Sequence, residues 1–205
     1  MTRPDSVIVN AIVRQALVSA EEVMGANGLH AVLRTAGLVR FVDNLPPNDM
    51  QPSIKTSDYA SLNQAIESFY GRAAKGMLRR IGRASFQYGV REQAGLLGVA
   101  GVALKLLPKK QRILFILNGM ADALKKSNKE VDAWVDESGN TIAYIDRTCA
   151  ICWGRQAYLA VCHLYVGSVG EAVLWATGTE YEIVETHCMA KGDEYCRFEV
   201  GAPKV

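Results

Sequence analysis

The residues of this chain best equipped for chemistry are Cys162, Glu185, Cys188 and Cys196. Three of them share the stretch 181–200, which reads as a β-hairpin turning at Lys191, Gly192 and Asp193. With Gly192 at the centre of the turn, Cys188 and Cys196 oppose each other across the strands. Directly opposed residues hold their Cβ atoms roughly 4.5–5.5 Å apart. Two thiolates at that separation can share one tetrahedral metal ion through bonds of about 2.3 Å to each sulfur. A helix over 155–176 puts Tyr158, Cys162, Tyr165, Val169 and Val173 on one side, which turns Cys162 toward the core. Glu185 and His187 compete as the fourth ligand. In a regular strand both lie off the face of Cys188, so either one needs a bend or a bulge. A cage of Cys149, Cys152, Cys188 and Cys196 is an alternative. A plainer reading also stands beside these, because a free cysteine often packs as a small buried hydrophobe.

Other chemistry is thin, and no catalytic set can be named. The chain has three histidines, His30, His163 and His187. Cys162 and His163 are adjacent on the expected helix and so do not face each other as a nucleophile pair would. There is no Gly-x-Ser-x-Gly, no phosphate-binding glycine loop and no His-Glu-x-x-His. Cys149 and Cys152 form a lone C-x-x-C without the strand–helix context of a thioredoxin site.

The elements that must position these residues follow from periodicity. Apolar residues recur at helical spacing over 7–24, with Asp5 or Ser6 as N-cap, and a short helix follows the glycines of 25–28. A proline-bearing loop covers 44–56. Helices then run over 57–70 and 72–90, and a buried glycine-bearing helix over 95–107 ends at Pro108. A further helix covers 111–126. The pattern changes at 131–138 and 141–148, which alternate around Gly139 and Asn140 as a two-residue hairpin. After the helix of 155–176, ended by Gly178, the hairpin of 181–200 closes the chain. Helices followed by strand, strand, helix, strand and strand imply an α+β fold, with N-terminal helices packed on a four-stranded antiparallel sheet.

Composition bounds the function. A chain of 205 residues suits one domain and can bury a core unaided. A net charge of +2, with 21% charged residues scattered in sign, gives no basic stripe for nucleic acid. No apolar run reaches the roughly 20 residues of a membrane span. Five cysteines without a signal-peptide pattern argue for a reducing compartment, by default the cytoplasm.

The stretch 178–200, with an acidic residue, Cys three later, Gly192-Asp193 and then Cys196-Arg197-Phe198, resembles the end of the 4-vinyl reductase domain family. The resemblance covers roughly 125–202, and Cys162 matches the cysteine of the preceding helix. It implies a structural zinc ion held by Cys162, Glu185, Cys188 and Cys196, closed to substrate. It also implies the fold of the TRAPP vesicle-tethering subunits, with residues 1–56 as a helical N-terminal extension and 57–205 as the ligand-binding domain of a single domain, 1–205. Its expected role is non-enzymatic binding or sensing of a small hydrophobic ligand, such as a hydrocarbon, aromatic or tetrapyrrole. A homodimer through the N-terminal helices is expected with it. The alternatives are an accessory or reductase protein of (bacterio)chlorophyll biosynthesis, and a structural or tethering subunit without ligand. Phe86, Trp134, Tyr144 and Trp153 are the aromatics expected near the pocket.

Overall fold

The computed structural model describes residues 5–92, 104, 106–139 and 141–204. Most of the helix expected over 95–107 lies outside the described residues. The chain opens with a short strand, β1 (Val7–Val9), then α1 (Asn10–Thr35). β1 pairs antiparallel with β2 (Pro52–Lys55), placing Ile8 opposite Ile54 inside what reads by composition as a loop. α1 does not end at the glycines. Gly25, at φ +75°, kinks it, and the helix resumes to Thr35 because Leu29, Val32 and Leu33 still bury an apolar face. Asp5 caps a different helix from the one expected: its carboxylate accepts from the Ser57 backbone N–H (3.0 Å) and hydroxyl (2.6 Å), at the start of α2 (Thr56–Tyr70). With the Thr56 N–H donating to the Ser6 carbonyl at 2.8 Å, two of that first turn's orphan backbone donors are satisfied by the segment leading into β1.

α3 (Ala74–Glu92) and α4 (Lys109–Ser127) follow among the described residues. The sheet comprises β3 (Ala133–Ser138), β4 (Thr141–Asp146), β5 (Tyr181–His187) and β6 (Cys196–Pro203), in the order β3-β4-β6-β5, all antiparallel. α5 (His163–Thr177) connects the two hairpins. It is apolar on nearly all sides because it is clamped between α3 and the sheet, with Leu164, Val166, Val169 and Val173 all buried. Two glycines set that close approach. A Cβ at Gly82 would collide with the Leu164 carbonyl, and one at Gly167 with the Arg79 carbonyl. Helix backbones in contact require residues without side chains. On the other face of α5, Tyr165 packs against Phe198 of β6 (centroids 5.2 Å apart) and Tyr144 of β4 (5.8 Å).

The α+β class and the four-stranded antiparallel sheet agree with the sequence reading. The helix over 155–176 does not: it starts only at His163. Upstream, the Ala157 N–H donates to the Ala190 carbonyl at 2.8 Å, and Tyr158 and Leu159 are exposed. That backbone bond ties the segment to the β5–β6 connection and takes an amide away from any helical turn.

Candidate functional site

All five cysteines are buried, and all are free thiols. Their sulfurs converge: Cys149 Sγ lies 3.5 Å from Cys162 Sγ, Cys152 lies 3.4 Å from Cys196, and Cys162 lies 3.9 Å from Cys188 and 3.8 Å from Cys196. Cys162, Glu185, Cys188 and Cys196 each offer a ligand atom within 4.8 Å of the others. So do Cys149, Cys152, Cys162 and Cys196. This second set contains Cys162 where the sequence-based alternative had Cys188.

The residues arrive differently from expectation. Cys162 is not within a helix. It is the residue just before α5, at φ −83° and ψ 45°. Cys188 is not cross-strand from Cys196, because β5 ends at His187 and Cys188 leads into a 3-10 turn, Met189–Lys191. Cys196 instead pairs with Asp146 on β4. A longer connection wins over the tight turn because Asp193 folds back: its carboxylate accepts from the Cys188 N–H at 2.7 Å. The bulge that a glutamate ligand requires is present. Glu185 pairs with Phe198 and His187 with Arg197, so Thr186 is the extra residue. The bulge brings Glu185 to the thiols. His187 turns away, its ring 5.5 Å from that of Tyr195.

Glu185 is the least satisfied member. One carboxylate oxygen accepts from the Cys162 N–H at 2.9 Å, and the other, Oε1, is buried without a hydrogen-bond partner. Burial, reinforced by the neighbouring Cys188, pushes its pKa up to about 9. Burial likewise pushes the Cys149 thiol up to about 12. A buried acid with an orphan oxygen facing thiols is costly without a cation. Glu185 also lines a surface groove with Arg79, Lys75 and His163, which connects this side of the cluster to solvent. There burial and the Lys75 and Arg79 charges hold the His163 pKa down at about 4.

A second feature lies beside the cluster. A cavity of about 250 Å³ opens between β1, α1, α3, α4, α5 and the end of β4. Its lining is mostly apolar, including Ile12, Phe86, Met120 and Leu164. Of the four aromatics expected near a pocket, Phe86 alone is among the described lining residues. Trp134 packs on Tyr195, Tyr144 lies in the core, and Trp153 borders a separate surface groove.

Two acids line the cavity, Glu130, which is exposed, and Asp146, which is buried at 2% exposure. Its Oδ1 accepts from the Thr148 N–H and hydroxyl (2.7 Å each), and its Oδ2 accepts from the Tyr165 hydroxyl (3.0 Å). A carboxylate offers about four acceptor sites, so these three donors leave one free, on Oδ2. Burial raises the Asp146 pKa above its ordinary value. The sequence does hold a signal for this residue: strand alternation places 142, 144 and 146 on one face, and Ile142 and Tyr144 are core residues. A carboxylate at the third inward position needs a reason.

No family model matches this sequence, and no curated protein matches it. Solved structures do match. An oxygen-binding H-NOX domain related to soluble guanylate cyclases aligns with a TM-score of 0.60 at 11% identity, covering 94% of this chain and 93% of that one. A structure from work on heme distortion in the H-NOX family aligns at 0.63 and 10%, covering 97% of each chain. An unliganded Fe(II) H-NOX protein from K. algicida aligns at 0.61 and 13%, again over 97% of each. The fold is that of the H-NOX domains.

This corrects the resemblance to the 4-vinyl reductase family and its TRAPP-type fold label. That resemblance rests on a short signature, whereas the H-NOX likeness extends over nearly the whole topology. Zinc as resident cofactor is corrected with it. The structures sharing the H-NOX fold are described with heme and Fe(II), and sulfur spacing selects a soft ion without naming one.

Heme, in turn, does not fit the residues present. None of the three histidines lines the cavity: His30 pairs with Asp43, His163 lines the surface groove and His187 stacks on Tyr195. The cavity phenols are poor substitutes as iron ligands. Burial raises the pKa of Tyr59 and Tyr165 well above the usual phenol range, so both hold their protons.

Proposed function

We propose that this chain is a non-enzymatic binding or sensing domain for a small, mostly apolar molecule carrying one hydrogen-bond donor, seated in the cavity beside Asp146. The observation that carries this reading is the buried Asp146 carboxylate, with one acceptor site free in a mostly apolar wall. A few placed polar groups in an apolar concavity are the usual construction of a ligand site. At about 250 Å³ the cavity falls just below the roughly 300–1,000 Å³ of drug-sized pockets. It therefore suits one or two rings, which disfavours a tetrapyrrole and with it a role in chlorophyll biosynthesis. The H-NOX fold, used in its solved examples to hold oxygen or Fe(II)NO, supports a sensing role for the same architecture.

Phenol and toluene are the probes that test it, because they differ by one hydroxyl. Titration followed by NMR should show saturable binding of both, with phenol tighter by about tenfold, the worth of one hydrogen bond to a carboxylate. Saturable binding of neither probe would refute the reading.

We propose as well that Cys162, Glu185, Cys188 and Cys196 hold a soft divalent metal ion in a closed, structural site. The support is the unpartnered, buried Glu185 Oε1 aimed among three thiols. Four protein ligands leave no position for substrate. The ion would tie the start of α5 to β5 and β6, immediately behind the cavity wall.

A further inference from the structure

A single ion on Cys162, Glu185, Cys188 and Cys196 leaves two of the five buried cysteines unexplained. Cys149 and Cys152 belong to the segment between β4 and α5, which alternates in use. Thr148, Ala150 and Ile151 line the cavity, whereas the buried Cys149 and Cys152 do not. As ordinary core hydrophobes they would be packed among aliphatic side chains. Both do belong to the hydrophobic core, but their sulfurs also meet other sulfurs, Cys149 against Cys162 at 3.5 Å and Cys152 against Cys196 at 3.4 Å. Thiols are weak donors and weak acceptors, so nothing in S–H bonding alone calls for five of them together.

The distances fit a different arrangement. Four sulfurs around one ion at about 2.3 Å stand about 3.8 Å apart along each tetrahedral edge. Four of the sulfur–sulfur separations run from 3.4 to 3.9 Å, and the ligand atoms of each set all lie within 4.8 Å of one another. The two sets of potential ligands have Cys162 and Cys196 in common, and that pair is itself 3.8 Å apart. With an ion in each, the two sets would form two tetrahedra sharing one edge. A thiolate sulfur retains enough lone pairs to bind two ions at once.

We infer that the cluster is a binuclear thiolate centre: one soft divalent ion on Cys149, Cys152, Cys162 and Cys196, a second on Cys162, Glu185, Cys188 and Cys196, with Cys162 and Cys196 bridging. The inference rests on the one-ion reading above and extends it. Five thiolates and one carboxylate carry six negative charges against four positive ones, leaving the same net charge of −2 as one ion in its four-ligand site. Loading involves no redox change: the thiols and Glu185 release their protons to the buffer as the ions bind. The second ion would lock the segment that forms one wall of the cavity, and so bring the cavity's shape under metal control.

Cadmium(II) is the probe, added alone to the full chain after chelation under reducing, anaerobic conditions. Thiolate-to-metal charge-transfer absorbance and native mass spectrometry should both end at two ions per chain. Cys149→Ser and Cys188→Ser should each retain one. With cadmium-113, two NMR resonances split by coupling between the nuclei would establish the bridge, and two uncoupled resonances would overturn it. A single ion, with Cys149→Ser unchanged, overturns the binuclear centre and leaves the one-ion site standing. No bound ion overturns both. Where a serine variant does not fold, the count on the unsubstituted chain still decides between one ion and two.

Discussion

The cysteine cluster and the cavity share a wall, yet they are built on opposite principles. The cluster draws its six potential ligands from positions 149 to 196, within the second half of the chain. The cavity draws its lining from Ser6 to Ser168, across most of the fold. One depends on residue type, since few side chains other than cysteine and glutamate could replace those ligands. The other depends on shape, since many apolar side chains could line a cavity of that size. The segment 148–152 serves both, and Asp146, opposite Cys196 on the neighbouring strand, sits where they meet. Metal and ligand are therefore expected to act on each other through one short stretch of backbone, and the two regions can be broken separately.

The largest effect should come from Cys196→Ser, because Cys196 belongs to both ligand sets. Bound metal should fall to none, with a loss of several kcal/mol in a urea titration, since structural metal binding is itself folding free energy. A variant that keeps its metal in full would show that Cys196 is not a ligand, and an unsubstituted chain that binds none would show that the cluster is only core packing. Gly167→Ala should come next, at about 3 kcal/mol or more, because the new Cβ meets the Arg79 backbone and the α3–α5 contact must open. It should destabilise the fold while leaving metal stoichiometry intact in the folded fraction.

Ile12→Trp should sharpen the contrast from the other side. Ile12 lines the cavity on α1, away from the cysteines, and an indole there should abolish phenol and toluene binding with metal content unchanged. Tyr165→Phe removes one donor to Asp146. It should alter the preference for phenol over toluene by about 1.5–3 kcal/mol in titration calorimetry, the scale of one hydrogen bond to a charged group.

The smallest effect is a pH dependence. Asp146 has a raised folded-state pKa, so the folded chain holds this proton more readily than the unfolded chain. Its contribution to stability is complete below the ordinary value of 3.8 and is lost as pH rises through the raised one. Asp146→Asn does not titrate. Its stability relative to the unsubstituted chain should improve as pH rises across that window, read as urea midpoints in a pH series. A difference that stays flat would mean Asp146 is not the buried acid described.

Helix periods, the strand alternation of 131–148 and the helix-ending role of Gly178 are local patterns, and they were legible. The set Cys162, Glu185, Cys188 and Cys196 came from the family resemblance and not from local pattern, and the structure brings their ligand atoms within 4.8 Å of one another. The route by which they meet was not legible. The bulge at Thr186, the displacement of Cys188 beyond the end of β5 and the late start of α5 come from bonds such as Asp193 to the Cys188 amide and Ala157 to Ala190. Those bonds join positions whose proximity no local pattern encodes.

The sequence by itself determined the α+β class, the strand order along the chain and the chemical nature of the cluster, because periodicity and ligand type are properties of residues and their spacing. Only the tertiary structure decided that Cys149 and Cys152 join the same cluster, that no histidine reaches the cavity, and that Asp146 lies buried on its wall. Those are facts about which side chains share a small volume. Such sharing is set by how α5 docks between α3 and the sheet, through the glycine contacts at Gly82 and Gly167.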